Sequence, residues 1–137
     1  MPGKTSVLTG SLGEMAFESH FFREGRLIAA PRFDLFKVDF VLEWGNRLVK
    51  VQVKTMSKNC RNNGYSISLC TTRDGDKRQP YTSDEVDYFG VVNLDNGNIW
   101  LIPLNATEGR RRLTYVDPKL RRFKKINSFD WDKYRIK

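Results

Sequence analysis

Two runs of strict alternation meeting at Gly45-Asn46 constrain this chain more than any other feature. Val38, Phe40, Leu42 and Trp44 fall on one side of an extended segment, and Val49, Val51 and Val53 do the same after the turn. That period of two predicts a β-hairpin with one apolar face. With Gly45-Asn46 as a tight two-residue turn, facing residues have numbers that sum to 91, so Leu42 faces Val49, Phe40 faces Val51 and Val38 faces Val53. A one-residue slip would turn every apolar side chain outward, so the register is strongly specified. On the other face the same register sets Asp39 across from Gln52, with β-carbons about 4.5 to 5.5 Å apart, and puts Lys54 on that face two residues on.

The rest of the chain supplies neighbours for this hairpin. Ser11-Leu12-Gly13-Glu14 has the form of a capping box, predicting a helix from there to Arg23 or Glu24 with Gly25 as its stop and with Phe17 and Phe21 as its apolar stripe. Tyr65 to Thr72 alternates again and predicts a third strand, followed by a polar loop from Arg73 to Tyr81. Thr82 or Ser83 would cap a short turn of helix. Tyr88 to Val92 and Ile99 to Ile102 predict a second hairpin across Asp95-Asn96-Gly97-Asn98. This order suggests an α/β sandwich built on one mixed sheet. At 137 residues, without repeats or a linker-like stretch, one domain is expected over 1–137.

Composition narrows the partners. No apolar run is long enough to span a bilayer and Met1 to Ser6 lacks the apolar stretch of a signal peptide, which leads to an expectation of a cytoplasmic location. Cys60 and Cys70, with no second pair, fit neither a disulfide framework nor a zinc site and read as reduced thiols. Net charge is +8 and unevenly placed. Residues 1–104 hold 13 Lys/Arg against 12 Asp/Glu, whereas residues 105–137 hold 11 against 4. Arg110, Arg111 and Arg112, then Lys119, Arg121, Arg122, Lys124 and Lys125, would neutralise phosphates and release counterions if nucleic acid is the partner. A solvated basic face that maintains solubility is the competing reading.

Asp39, Gln52 and Lys54 also read in two ways. They decorate the solvent side of an amphipathic hairpin, or they converge on a rigid element as a catalytic group. Glu14, at helical spacing from Phe17 and Phe21, is either the second half of the capping box or a carboxylate aimed inward. His20 stands alone on the helix and receives no role.

Gly13-Glu14 on a first helix, then Asp39, then Gln52-Val53-Lys54, resembles the PD-(D/E)XK nuclease superfamily. The Gln52 in place of the usual second acid resembles the branch holding the homing endonucleases of cyanobacterial group I introns. The likeness extends through Glu85-Val86-Asp87-Tyr88-Phe89 to Leu101-Ile102-Pro103, about residues 9–104. It implies a restriction-endonuclease-like core, a mixed central sheet flanked by helices, and a Mg²⁺-dependent endonuclease acting on double-stranded DNA. Asp39 would be the main metal ligand, with the Val53 carbonyl and Glu14 as further ligands. Lys54 would stabilise developing charge and orient water, and Gln52 would offer an amide oxygen without charge. Arg73, Lys77, Arg78, Gln79 and Tyr81 are the candidates for base readout, and the basic residues from Arg110 to Lys125 for phosphate contacts. A domain this small reads few base pairs, so a long, approximately palindromic target implies a dimer or tetramer. A Holliday-junction resolvase and a DNA-binding module with a lapsed site are the alternatives.

Overall fold

The computed structural model describes residues 4–137 except 34, 60–63, 74, 76, 118 and 120–128. Helix α1 spans Lys4–Arg23 and is followed by strands β1 (Ile28–Ala29), β2 (Phe40–Trp44), β3 (Arg47–Thr55), β4 (Ser57–Asn59), β5 (Gly64–Ser68), β6 (Cys70–Arg73), β7 (Lys77–Pro80), β8 (Tyr88–Val92), β9 (Ile99–Pro103), β10 (Arg112–Val116) and β11 (Arg135–Ile136). Six of them form one sheet in the order β1-β2-β3-β8-β9-β11. It is mixed, because β3 and β8 run parallel while its other pairs run antiparallel. The chain between β3 and β8 is the crossover that a parallel pair requires, and it holds β4 to β7. The expected α/β class, a mixed central sheet flanked by helices, is observed, with one α-helix among the described residues in place of several. Among the described residues the only α-helix lies on one face, and the other face is covered by the three-stranded sheet β10-β5-β4.

Each face has its own core. Phe17 and Phe21 of α1 pack on Phe40, Leu42, Val49, Val51 and Val53, with the Phe17 ring stacked 5.9 Å from that of Phe40. On the far face Phe89, Val91, Trp100 and Ile102 meet Ile67, Leu113, Tyr115 and Trp131. Strands β8 and β9 are therefore buried on both sides, which is why they read as near-continuous apolar runs.

Several local expectations hold and others are corrected. The turn at Gly45 and Asn46 has positive φ at both residues, 59° and 64°, as a two-residue hairpin turn demands. The helix ends as expected: the Gly25 amide donates to the Phe22 carbonyl and the Arg26 amide to that of Phe21, with Gly25 at φ 77°. Its start is seven residues earlier than the capping box implied, at Lys4 and not Ser11. Ser-x-x-Glu is equally compatible with a helix interior, and the hydroxyls before it need not cap; that of Thr9 donates to the Thr5 carbonyl one turn back.

The expected third strand is two strands. Leu69 divides them because its backbone changes partners there: its amide donates to Arg111 next to β10, and its carbonyl accepts the Tyr81 amide beyond β7. The expected loop from Arg73 to Tyr81 contains β7, which folds back on β6 with Cys70 facing Pro80 and Arg73 facing Lys77. The short helix expected at Thr82 is one turn, in which the Glu85 and Val86 amides both donate to the Thr82 carbonyl. Cys70 is a buried free thiol, while Cys60 lies outside the described residues. No helix among the described residues is long and apolar enough to cross a membrane.

Candidate active site

The register that sums to 91 runs from Trp44 facing Arg47 to Phe40 facing Val51 and stops there. Asp39 does not continue it to Gln52, nor does Val38 pair with Val53. The Asp39 amide donates at 2.9 Å to the carbonyl of Val51, the residue that Phe40 already faces. Two residues of one strand against one of the other is a bulge, and a bulge re-aims a side chain. The Asp39 carboxylate is turned along the hairpin so that Oδ2 accepts the Val53 amide at 2.8 Å. In a strand the carbonyl points to the same edge as the amide of its residue, so the Val53 carbonyl also faces the Asp39 side.

Helix α1 brings a second carboxylate to this edge. A β-carbon on Gly13 would lie 1.8 Å from Thr55 Oγ1, so α1 approaches the end of β3 as closely as only glycine allows. The next residue, Glu14, is thereby half-buried beside Asp39. Burial raises its carboxyl pKa above the ordinary value, and the negative charges of Asp39 and then Glu18 raise it further.

Lys54 and Gln52 leave β3 on the side opposite Val51 and Val53, and both are half-buried. Lys54 Nζ donates to the Tyr81 hydroxyl at 3.1 Å and sits 4.8 Å from the centre of its ring. Glu14, Asp39, Gln52, Val53 and Lys54 together line a cleft of about 310 Å³ at the open end of the β2–β3 hairpin. A larger hollow of about 550 Å³ lies by Tyr88, Pro103 and Arg110 and contains none of the five. The convergence of charged groups makes the smaller cleft the candidate for chemistry.

Two neighbouring carboxylates, of which Glu14 is harder to ionise because of its burial and of Asp39, an amide oxygen and a backbone carbonyl are hard donors suited to a divalent cation. Among the described residues no three His, Cys, Asp or Glu side chains cluster as a closed metal cage. The set fits a hard ion that keeps part of its coordination for water and substrate oxygens.

The residues expected to touch DNA are distributed differently. Lys77 and Gln79 are exposed on β7. The Arg78 guanidinium donates to Ser68 Oγ at 2.9 Å and to the Cys70 carbonyl at 3.2 Å. Arg73 instead points back into the protein, where it pairs through both terminal nitrogens with the Glu85 carboxylate and donates to the Pro80 carbonyl at 2.9 Å. The Arg73 hydrogen bonds hold the Glu85 carboxyl well below its ordinary pKa, at about 2. Tyr81 is only 9% exposed; it lines the larger hollow and reaches the smaller cleft only through its contact with Lys54.

Of the basic C-terminal residues, Arg112 and Lys119 are exposed, Arg110 lies over the Phe129 ring, and Arg111 donates to the Arg78 carbonyl at 2.7 Å. Arg121, Arg122, Lys124 and Lys125 lie outside the described residues. Sequence reasoning missed the contact of Tyr81 with Lys54, the approach of Gly13 to Thr55, and Asp87, whose carboxylate accepts the Lys50 amide at 2.8 Å between β3 and β8. The glycine beside Glu14 was the one local signal.

Comparison with known proteins places the fold. The fold is similar to that of a bacterial homing endonuclease, I-Ssp6803I, with a TM-score of 0.80 and 21% identity over 97% of this chain and 89% of that one. It is more distantly similar to MepB, with a TM-score of 0.51 and 15% identity over 98% of this chain and 97% of that one. At such identities the likeness is one of fold. No curated protein matches the sequence. The sequence pattern of the PD-(D/E)XK endonuclease family, however, matches residues 5–135, nearly the whole chain, and the protein belongs to that family.

Proposed function

We propose that this chain, acting as one nuclease domain, is a Mg²⁺-dependent, site-specific endonuclease that hydrolyses both strands of duplex DNA at a long, approximately palindromic site, as a homing endonuclease does. The observation that carries this reading is the Asp39 carboxylate, fixed on the Val53 amide beside Glu14 and within the same cleft as Lys54.

Members of the family generally use divalent metal ions. Asp39, Glu14 and the Val53 carbonyl would hold the ion, which supplies charge neutralisation at the scissile phosphate and a lowered pKa for water. Asp39 is suited to this because its orientation is set by a backbone amide and not by solvent. Glu14 would join it from α1, where the negative charge of the neighbouring Asp39 would favour binding of a cation. Lys54 offers its ammonium to the negative charge that grows on the phosphate oxygens as the water attacks. Gln52 contributes an amide that can orient water or a phosphate oxygen without adding charge.

Lys77, Arg78 and Gln79 on β7 are the groups we assign to base readout, and Arg110, Arg111, Arg112, Lys119 and the four basic residues of 121–125 to phosphate contacts. Two copies would read a palindromic site. Val7, Leu8, Leu12 and Met15, exposed on α1, supply apolar surface of the kind that self-association uses.

The test is digestion of a randomised linear duplex pool and, separately, a four-way junction, in Mg²⁺ and Mn²⁺, beside Lys54→Ala. Discrete cutting of rare linear sequences by the wild type, reduced at least a hundredfold in Lys54→Ala, is expected. Nicking confined to junctions would replace homing with resolution. Binding without cutting in either metal would remove the catalytic claim.

A further inference from the structure

We infer that Tyr81 is a positioning residue for Lys54, and that the Arg73–Glu85 pair in turn sets Tyr81. The functional consequence rests on the nuclease reading above, whereas the geometry does not.

A lysine carries its charge on a flexible four-carbon stem, and an unanchored one samples many rotamers. Lys54 is anchored at one side chain, through the hydrogen bond to the Tyr81 hydroxyl, with its ammonium 4.8 Å from the ring centre. The ring cannot follow the lysine. It stands edge-on to Phe89 with centroids 5.4 Å apart, and Phe89 is wholly buried in the far-side core.

The backbone on both sides of Tyr81 is also held. Its own amide donates to the Leu69 carbonyl, the preceding Pro80 carbonyl accepts from Arg73, and the amide and hydroxyl of the following Thr82 both donate to Glu85 Oε1. Since Glu85 is paired with Arg73, one ion pair fastens residues 80 and 82 together. The end of the β6–β7 ribbon is thus tied to the end of β3 through a tyrosine. Held in this way, the Lys54 ammonium stays at the cleft and does not swing out to the phosphates of approaching DNA.

Three forms of the protein test this: wild type, Tyr81→Phe, which keeps the ring and loses the hydroxyl, and Tyr81→Leu, which loses both. Lysine side-chain NMR, with Lys54→Ala identifying the signal, reads the geometry without any substrate. The Lys54 methylene protons should be ring-current shifted in the wild type and in Tyr81→Phe, and should return to ordinary lysine positions in Tyr81→Leu. On a duplex recovered from the randomised pool, Tyr81→Phe should lower kcat about tenfold with KM unchanged.

Ordinary Lys54 shifts in the wild type would overturn the inference. So would full kcat in Tyr81→Phe, or a rise in KM alone, which would make Tyr81 a DNA contact. If Tyr81→Leu does not fold, Tyr81→Phe still decides through kcat. A shifted Lys54 in a wild-type protein that cuts neither duplex nor junction would overturn the nuclease reading and leave the Tyr81–Lys54 contact standing.

Discussion

The β2–β3 hairpin and the β6–β7 ribbon are built alike and anchored differently. Both are antiparallel pairs of consecutive strands. In the hairpin Phe40, Leu42, Val49, Val51 and Val53 are all buried under α1, and β3 is further paired over Val51 to Thr55 with β8. In the ribbon Cys70 and Thr71 of β6 are buried, but every residue of β7 is exposed, and the side-chain contacts of β7 are polar ones with Arg73, Ser68, Cys70 and Arg111. The Asp39 carboxylate that we propose as catalytic must be held to a fraction of an ångström, and Asp39 leads directly into this buried hairpin. The surface we propose for base readout would have to adapt to DNA, and a ribbon fixed at its base by an ion pair can do so. Precision and adaptability are allotted to different kinds of anchor.

The comparison breaks most directly at the hairpin. Phe17→Ala removes a wholly buried ring stacked on Phe40 and packed against Gly90, and should cost about 3 to 5 kcal/mol in chemical denaturation. A loss below about 1 kcal/mol would mean that α1 is not what makes the hairpin rigid.

At the ribbon the expected loss is smaller and depends on pH. Arg73→Ala leaves Glu85 without its main partner and should cost about 2 kcal/mol near neutral pH. The Glu85 pKa is lowered from 4.5 to about 2 by folding, so its contribution is complete above about 4.5 and disappears as pH falls toward 2. Wild type and Arg73→Ala should therefore converge in stability across that window. Curves that stay parallel down to pH 2 would show that the ion pair is not the anchor.

The smallest effect belongs to the ribbon surface. Lys77→Ala and Gln79→Ala should change stability by less than about 0.5 kcal/mol, because both side chains are exposed. On the recovered duplex they should relax the preference at individual base pairs, by about 1 to 3 kcal/mol for a lost base contact. An unchanged cleavage preference in both variants would move base readout elsewhere on the protein.

The amphipathic elements were legible in the sequence and their joints were not. Alternation around Gly45-Asn46 predicted the hairpin and its register as far as Phe40, and Gly25 predicted the end of α1. The start of α1 was obscured because Ser11 and Glu14 satisfy a local pattern that a helix interior satisfies as well. β7 was read as a loop because Lys77, Arg78 and Gln79 bury nothing, and a strand exposed throughout has no hydrophobic period. Arg73 and Tyr81 looked like surface groups because neighbouring residues say nothing about Glu85 or Lys54.

What the sequence alone determined is therefore the set of amphipathic elements, together with the choice of Glu14, Asp39, Gln52 and Lys54 as the groups to examine. Burial of apolar side chains imposes a period on the chain, and a period can be read locally. Tertiary structure decided how those groups meet: the bulge that hands Asp39 to the Val53 amide, the approach of Gly13 to Thr55 that brings Glu14 alongside, and the tyrosine that holds Lys54. Each depends on one hydrogen bond or one close contact between residues at least 14 positions apart. Such contacts have no period, and they exist only once the sheet and helix have brought the partners together.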